Sequence, residues 1–202
     1  ELLAMGHGDT ARAIDLEDHD ALSTLLEASK ADLIVNAAAY TDVDRAERES
    51  ARAHSVNGRA VAVLGECAAR MNVPIIHYGT DYVFDGSARA PYAEDAPTAP
   101  LNVYGHSKLA GEAALVAGDS ACLVLRTSWV YGLRGRNFLR TVLRLASKQP
   151  ALRVVNDQHG SPTWARSVAT VTALLVAKLG FSAADYRDYR GIYHLTNAGQ
   201  TT

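Results

Sequence analysis

The chain is poor in cysteine, shows no excess of charge of either sign and lacks a long hydrophobic run. Only two of its 202 residues are cysteine, Cys67 and Cys122, far apart in apolar surroundings and at no metal-ligand spacing. That excludes a disulfide framework and a zinc ribbon, and both read as buried thiols of a cytoplasmic protein. Lys and Arg number 20 against 22 Asp and Glu, a formal charge of −2 without a basic run. The electrostatic footprint required by nucleic acid or an anionic membrane surface is therefore missing. Uncharged apolar stretches such as 168–177 fall well short of the roughly 20 residues that cross a bilayer. The opening Glu-Leu-Leu-Ala-Met has no basic start leading into an apolar run, so no secretory signal is expected.

What is present is an ordinary globular balance, 48% apolar and 21% charged, with chain enough for one domain or one and a half. Short apolar runs at 32–36, 73–78, 121–126, 152–155 and 192–195 predict strands covered on both faces. Helical periodicity falls between them, at 20–29, 43–71 in two pieces, 103–117, 137–147 and 165–179. Strand and helix in alternation predict an α/β fold, a doubly wound parallel sheet of Rossmann type. In such sheets ligands bind beyond the carboxyl ends of the strands. Function is therefore expected at 37–41, 79–86 and 127–132. The Pro-rich segment 90–100 reads as an ordered loop running into a helix.

The most specific signal is Tyr104-Gly105-His106-Ser107-Lys108 at the start of a helix. A four-residue spacing puts the phenol and the ammonium on one helix face. A nearby cation favours the phenolate and would bring the Tyr104 pKa down from about 10, so that Tyr104 could give a proton to a carbonyl oxygen as hydride arrives at its carbon. Alone, such a pair is as readily a surface helix contact. The context is a strand ending in Gly79-Thr80-Asp81, which places a hydroxyl able to bind the same oxygen. A strand-end hydroxyl followed by Tyr-x-x-x-Lys resembles the short-chain dehydrogenase/reductase superfamily.

A narrower resemblance rests on five motifs in order. They are Asn36-Ala37-Ala38-Ala39-Tyr40-Thr41-Asp42-Val43-Asp44, Thr80-Asp81-Tyr82-Val83-Phe84-Asp85-Gly86, the run from Pro100 to Lys108, Arg126-Thr127-Ser128-Trp129-Val130-Tyr131-Gly132 and Asp157-Gln158-His159-Gly160-Ser161-Pro162-Thr163. Together they resemble the dTDP-4-dehydrorhamnose reductase family of extended short-chain enzymes. The resemblance implies reduction of the 4-keto group of dTDP-4-dehydro-6-deoxy-L-mannose by NADPH or NADH, the final step to dTDP-L-rhamnose. It implies Tyr104 as proton donor, Lys108 on the nicotinamide ribose and Thr80 on the keto oxygen. Asp15, Leu16, Ala37, Ala38, Ala39, Tyr40 and Thr41 would line the cofactor. Asp81, Val43, Trp129 and Asn137 would line the dTDP-sugar, with Trp129 stacked on thymine. Each has a plainer alternative: Ala37 to Ala39 permit close packing, Trp129 is a core aromatic, and Asp15 caps a turn.

Other residues leave alternatives open. Asn57 lies within a long helix and either supports a proton relay, as the superfamily implies, or marks a bend. The seven histidines form no i, i+4 pair or tight cluster, so no catalytic metal is expected. Arg126, Arg134, Arg136, Arg140 and Arg144 flank the Trp129 loop. One of them, or Asn137, could bind a diphosphate, and a solvated helix face explains the spacing equally.

The first strand and Gly-rich loop of a dinucleotide fold are missing, and Glu1 to Ala4 looks like the end of the helix after that loop. Gly6-His7-Gly8-Asp9-Thr10-Ala11 fits the permissive G-x-G-x-x-A pattern but is rejected, with only five residues ahead of it. The chain thus reads as a fragment, with a dinucleotide-binding domain at 1–150 and, at 151–202, part of a smaller substrate-binding lobe with a late strand. The expected partners are a dTDP-sugar and a second copy as homodimer. Two other functions compete: another nucleotide-sugar reductase or epimerase, and a non-catalytic NADP-binding regulatory subunit. A dehydratase loses ground because Tyr82 stands where an Asp-Glu pair would need its second carboxylate.

Overall fold

A computed structural model of the chain describes residues 2–4, 12–135 and 137–202. The two longest strands set its frame. β4 (Pro74–Thr80) and β5 (Ala121–Thr127) pair in parallel, from Pro74 opposite Ala121 to Thr80 opposite Thr127. β3 (Ile34–Asn36) joins β4 and β8 (Gly191–His194) joins β5, giving one parallel sheet in the order β3, β4, β5, β8. Almost every residue of β4 and β5 is buried, which a continuous apolar run requires when both faces are covered.

Side-chain alternation along the strands separates two layers. Ile75, Cys122 and Val124 meet α1 (His19–Ser29), α4 (Ala60–Met71) and α5 (Val103–Ala117) on one face. Ile76, Leu123 and Leu125 meet α7 (Ala165–Leu179) and α8 (Ala183–Asp188) on the other. The fold is thus the doubly wound, Rossmann-like α/β sheet. Cys67 and Cys122 are free and buried in the first layer. Among the described residues no helix is long and apolar enough to cross a membrane.

Local chemistry explains the helix starts. Asp18 accepts a hydrogen bond from the Ala21 N–H at 3.0 Å to open α1, and Asn102 accepts from Gly105 at 2.8 Å to open α5. Gly105 is required there, because a Cβ would overlap the Tyr82 carbonyl and press on Pro100.

Several expectations need correction. Residues 152–155 form no strand: Val154 and Val155 lie exposed without a pairing partner, and β-propensity without cross-strand burial holds nothing in place. The helical stretch 43–71 does come in two pieces, α2 (Val43–Ala46) and, after a break at Glu47 to Glu49, one continuous helix in which α3 (Ser50–His54), a π-turn at Ser55–Arg59 and α4 follow without interruption. Leu2–Ala4 is not a helix end but strand β1, paired antiparallel with β2 (Arg12–Ile14). Cross-strand pairing with Arg12–Ile14 satisfies the backbone of this stretch. The rejected glycine pattern at 6–11, His7 and Arg136 lie outside the described residues. Two short parallel strands, β6 (Val130–Tyr131) and β7 (Thr163–Trp164), escaped the sequence reading, as did α8.

Candidate active site

The carboxyl ends of β3, β4 and β5 converge, and α5 crosses them with Tyr104 in its first turn and Lys108 one turn later. Lys108 is fully buried, and its ammonium nitrogen donates to the Tyr78 carbonyl at 2.7 Å and lies 3.3 Å from His77 Nε2. Both of those partners belong to β4. Thr80 ends the same strand and opens a 3-10 turn over Asp81–Val83; its hydroxyl accepts from the Tyr82 N–H and donates to Asp81 at 3.3 Å each. Tyr82 packs edge-on against Tyr104, with ring centroids 5.5 Å apart. The buried Lys108 and Thr80 and the half-buried Tyr104 therefore share one corner.

The electrostatics differ from what spacing predicts. The Tyr104 phenol is pushed up to about 12, first by burial, with the Thr80 hydroxyl pulling it partway back and Asp81, Tyr82 and Glu112 pushing it up. Lys108 does not bring it down. Burial in turn lowers Lys108 to about 8, against a smaller upward pull from Glu112. Where burial is nearly complete, desolvation outweighs the helix-neighbour attraction on which a spacing argument rests. At neutral pH Tyr104 keeps its proton, the form a proton donor needs. Asp81 is also raised by burial, although Ser128 donates to it at 2.6 Å.

Beneath this corner lies an ion pair. Arg126 grips Glu112 through Nε at 3.0 Å and Nη2 at 2.8 Å, with both side chains almost wholly enclosed. Gly79 makes the room, because a Cβ there would overlap the Glu112 carboxylate. Arg126 is consequently committed to Glu112 and is unavailable to a diphosphate. Sequence reasoning missed Glu112, yet a signal existed: Tyr104, Lys108 and Glu112 follow i, i+4, i+8.

Asn57 sits in the π-turn and joins three segments. Its amide accepts from the Tyr40 N–H at 2.8 Å and donates to the Tyr40 carbonyl and the Ser107 hydroxyl, each at 2.9 Å. The bent-helix alternative describes this geometry, and Gly111 of α5 lies against the Asn57 carbonyl, where a Cβ would overlap. Through Asn57 the loop 37–41 is tied to α5, with Ala37 and Thr41 exposed and Ala38, Ala39 and Tyr40 half-buried. The Tyr40 hydroxyl donates to Glu49 at 3.0 Å.

The remaining candidates are dispersed. Asp15 caps a turn by accepting from the Glu17 N–H at 3.0 Å, and Leu16 is buried in the core. Val43 starts α2. Trp129 is half-buried at φ 44° and rests against Gly160, where a Cβ would overlap the indole. Asn137 caps α6 (Phe138–Ala146) and donates to the Gly132 carbonyl at 2.8 Å, so its amide serves the loop. Arg140 donates to the Gly135 carbonyl at 2.9 Å, and Arg134 and Arg144 are exposed. Among the described residues no three His, Cys, Asp or Glu stand together as a metal site would require.

Comparison with known proteins places this geometry in context. The family model described as RmlD substrate binding domain matches residues 3–202. The dTDP-4-dehydrorhamnose reductase of Burkholderia thailandensis is 48% identical over 188 residues, covering 93% of this chain and 63% of the relative. The dTDP-4-dehydrorhamnose reductase of Escherichia coli K12 is 41% identical over 201 residues, covering 100% of this chain and 66% of the relative. The chain thus spans about two thirds of the length of these curated relatives. Among solved structures, the dTDP-4-dehydrorhamnose reductase of Bacillus anthracis in complex with NADP superposes with a TM-score of 0.84 at 30% identity, over 94% of this chain and 65% of that one.

Proposed function

The chain belongs to the RmlD substrate binding domain family, and from that footing we propose that it carries the catalytic corner of a dTDP-4-dehydrorhamnose reductase. The reaction is reduction of the 4-keto group of dTDP-4-dehydro-6-deoxy-L-mannose to dTDP-L-rhamnose, the last step of dTDP-rhamnose biosynthesis, in the cytoplasm. Relatives of that name at 41–48% identity support the reading. The single observation that carries it is the buried corner in which Thr80, a protonated Tyr104 and Lys108 meet at the carboxyl end of β4.

The residues present fit a nicotinamide dinucleotide. Beyond β3, residues 37–39 carry no side chain larger than a methyl group, which suits close approach of a flat ring and ribose, and Asn57 fixes the far end of this segment at Tyr40. Ala37 to Thr41 would hold the nicotinamide half, with Lys108 on its ribose. When bound, NADPH or NADH supplies the hydride for the C4 carbon of the sugar. Thr80 would orient the keto oxygen by hydrogen bond. Tyr104 would donate its phenolic proton to that oxygen as negative charge develops there, so that one hydride and one proton together make the alcohol. A phenol near 12 serves this role, because the developing alkoxide is far more basic. Trp129, Asp81 and Val43 would line the dTDP-sugar. Residues 1–150 would form the dinucleotide-binding part and 151–202 part of the substrate lobe, in a protein that works as a homodimer.

The test is NADPH and NADH oxidation by the full-length protein with freshly generated dTDP-4-dehydro-6-deoxy-L-mannose. Turnover that Tyr104→Phe abolishes while dTDP-sugar binding persists is the expected result. Binding of the sugar nucleotide without turnover by the wild type would overturn the reading in favour of a non-catalytic subunit.

A further inference from the structure

The ladder between β4 and β5 ends where the chemistry begins. Thr80 opposite Thr127 is its last register pair, and beyond it β4 leaves the sheet for the turn over Asp81–Val83. Ladder bonds cannot hold the backbone past that point. Yet the residue that would bind the keto oxygen stands at this break, and only 5% of its surface is exposed.

Two successive hydroxyls at the end of β5 take over. The Thr127 hydroxyl donates at 3.1 Å to the carbonyl of Gly79, the residue before Thr80. The Ser128 hydroxyl donates at 2.6 Å to the carboxylate of Asp81, the residue after it. β5 ends at Thr127, so Ser128 is released from strand alternation and its side chain can reach the same neighbour. Ser128 is itself fixed, being buried and accepting from the Ser161 N–H at 3.4 Å. Thr80 is thus gripped on both sides.

The two bonds that Asp81 receives from hydroxyls are unequal. A carboxylate only accepts. Ser128 supplies a donor at the short distance of a charge-assisted bond. Thr80 lies 3.3 Å away, beyond the range of about 2.5–3.0 Å for an ordinary hydroxyl bond. The Thr80 oxygen is meanwhile held by the Tyr82 N–H. Its proton can therefore turn to an arriving carbonyl oxygen while the oxygen that carries it stays in place. Without Ser128, the carboxylate would draw that proton to itself.

We propose that Thr127 and Ser128 are positioning residues for Thr80, a pair of neighbouring hydroxyls that hold Gly79 and Asp81 on either side of it and leave the Thr80 proton free for the keto oxygen. The proposal rests on the reductase reading and deepens it. Both residues act through Thr80 and not on the substrate.

The placement of Thr80 can be read without turnover. In full-length protein labelled with 13C and 15N, three-bond couplings from Thr80 Cγ2 to the backbone report the side-chain rotamer. One rotamer is expected in the wild type and a mixture in the double variant Thr127→Val, Ser128→Ala. In turnover with the dTDP-sugar, Ser128→Ala should lower kcat by roughly 10- to 100-fold, the scale of a small misplacement. KM should stay nearly unchanged, and Ser128→Thr should restore kcat. In a Thr80→Val background the same Ser128→Ala change should cost less than about two-fold, because no hydroxyl remains to be positioned. A wild-type Thr80 spread over several rotamers, a double variant that keeps the single rotamer, a loss carried by KM, or an equal kcat loss with and without the Thr80 hydroxyl would each overturn the proposal. Absence of turnover in the wild type would instead remove the reductase reading, and the couplings would still decide whether Thr127 and Ser128 hold Thr80. If the double variant does not fold, the single variants and the wild-type couplings carry the same decision.

Discussion

Arg126 and Arg140 stand 14 residues apart in sequence and live in opposite worlds. Arg126 is buried on β5, forked onto Glu112, in a corner where Gly79 leaves space for one carboxylate and Asn57 stitches a loop to a helix. Arg140 lies on α6, a helix that buries no residue and presents Phe138, Leu139 and Leu143 to solvent. The proton-handling half of the site is thus held by packing on all sides. The half around Trp129 and α6 is held by caps and short strands alone. Chemistry that must place a proton donor to within an ångström belongs in the first kind of setting.

The comparison can be broken most severely at the donor. In the full-length protein, Tyr104→Phe should lower the rate of NADPH oxidation by about 10²–10⁴, the range for losing a positioned general acid. Changes on α6 should leave that rate within a few-fold. Next in size, Glu112→Ala leaves the Arg126 guanidinium buried and unpaired, and urea unfolding should show a loss of about 3–5 kcal/mol. A loss below about 1 kcal/mol would mean that solvent reaches the pair.

Lys108 offers a pH test with a defined sign. Its folded pKa near 8 lies below the ordinary 10.5, so burying the lysine costs almost nothing above 10.5, costs progressively more as pH falls from 10.5 to about 8, and is constant below that. Lys108→Met should therefore gain stability over wild type as pH falls, by about 2–3 kcal/mol more at pH 7 than at about pH 10. Gly79→Ala should cost about 1–3 kcal/mol by overpacking against Glu112. Gly135→Ala, in open space at φ +70°, should cost only the left-handed backbone penalty of about 1–2 kcal/mol. At the far end of the scale, Phe138→Ser on α6 should change stability by no more than about 0.5 kcal/mol. A larger loss would show that the exposed apolar face of α6 packs against something in solution.

Much of the frame was legible in the residues. The apolar runs ending at Asn36, Tyr78 and Arg126, and the helix 103–117 between Asn102 and Gly118, are read from period and caps because local chemistry there agrees with the tertiary outcome. Legibility failed where partners decide. Val154 and Val155 look like strand residues but pair with no strand among the described residues. Leu2–Ala4 takes its conformation from pairing with Arg12–Ile14. The stretch 43–71 carries apolar residues throughout, yet its π-turn lies against Gly111, 54 residues beyond Asn57 in the chain.

The site divides the same way. Residue type and spacing put Thr80 at a strand end and Tyr104 and Lys108 on one helix face, both local facts, and the resemblance to the short-chain family joined the two. Their ionisation was beyond that reach. Tyr104 stays high, Lys108 falls, and Arg126 turns inward to Glu112, all because burial sets the cost of charge and burial is made by segments distant in sequence. The order of side chains along the chain determined which groups would meet. Only the folded interior, by removing water from around them, decided which of those groups would hold a proton.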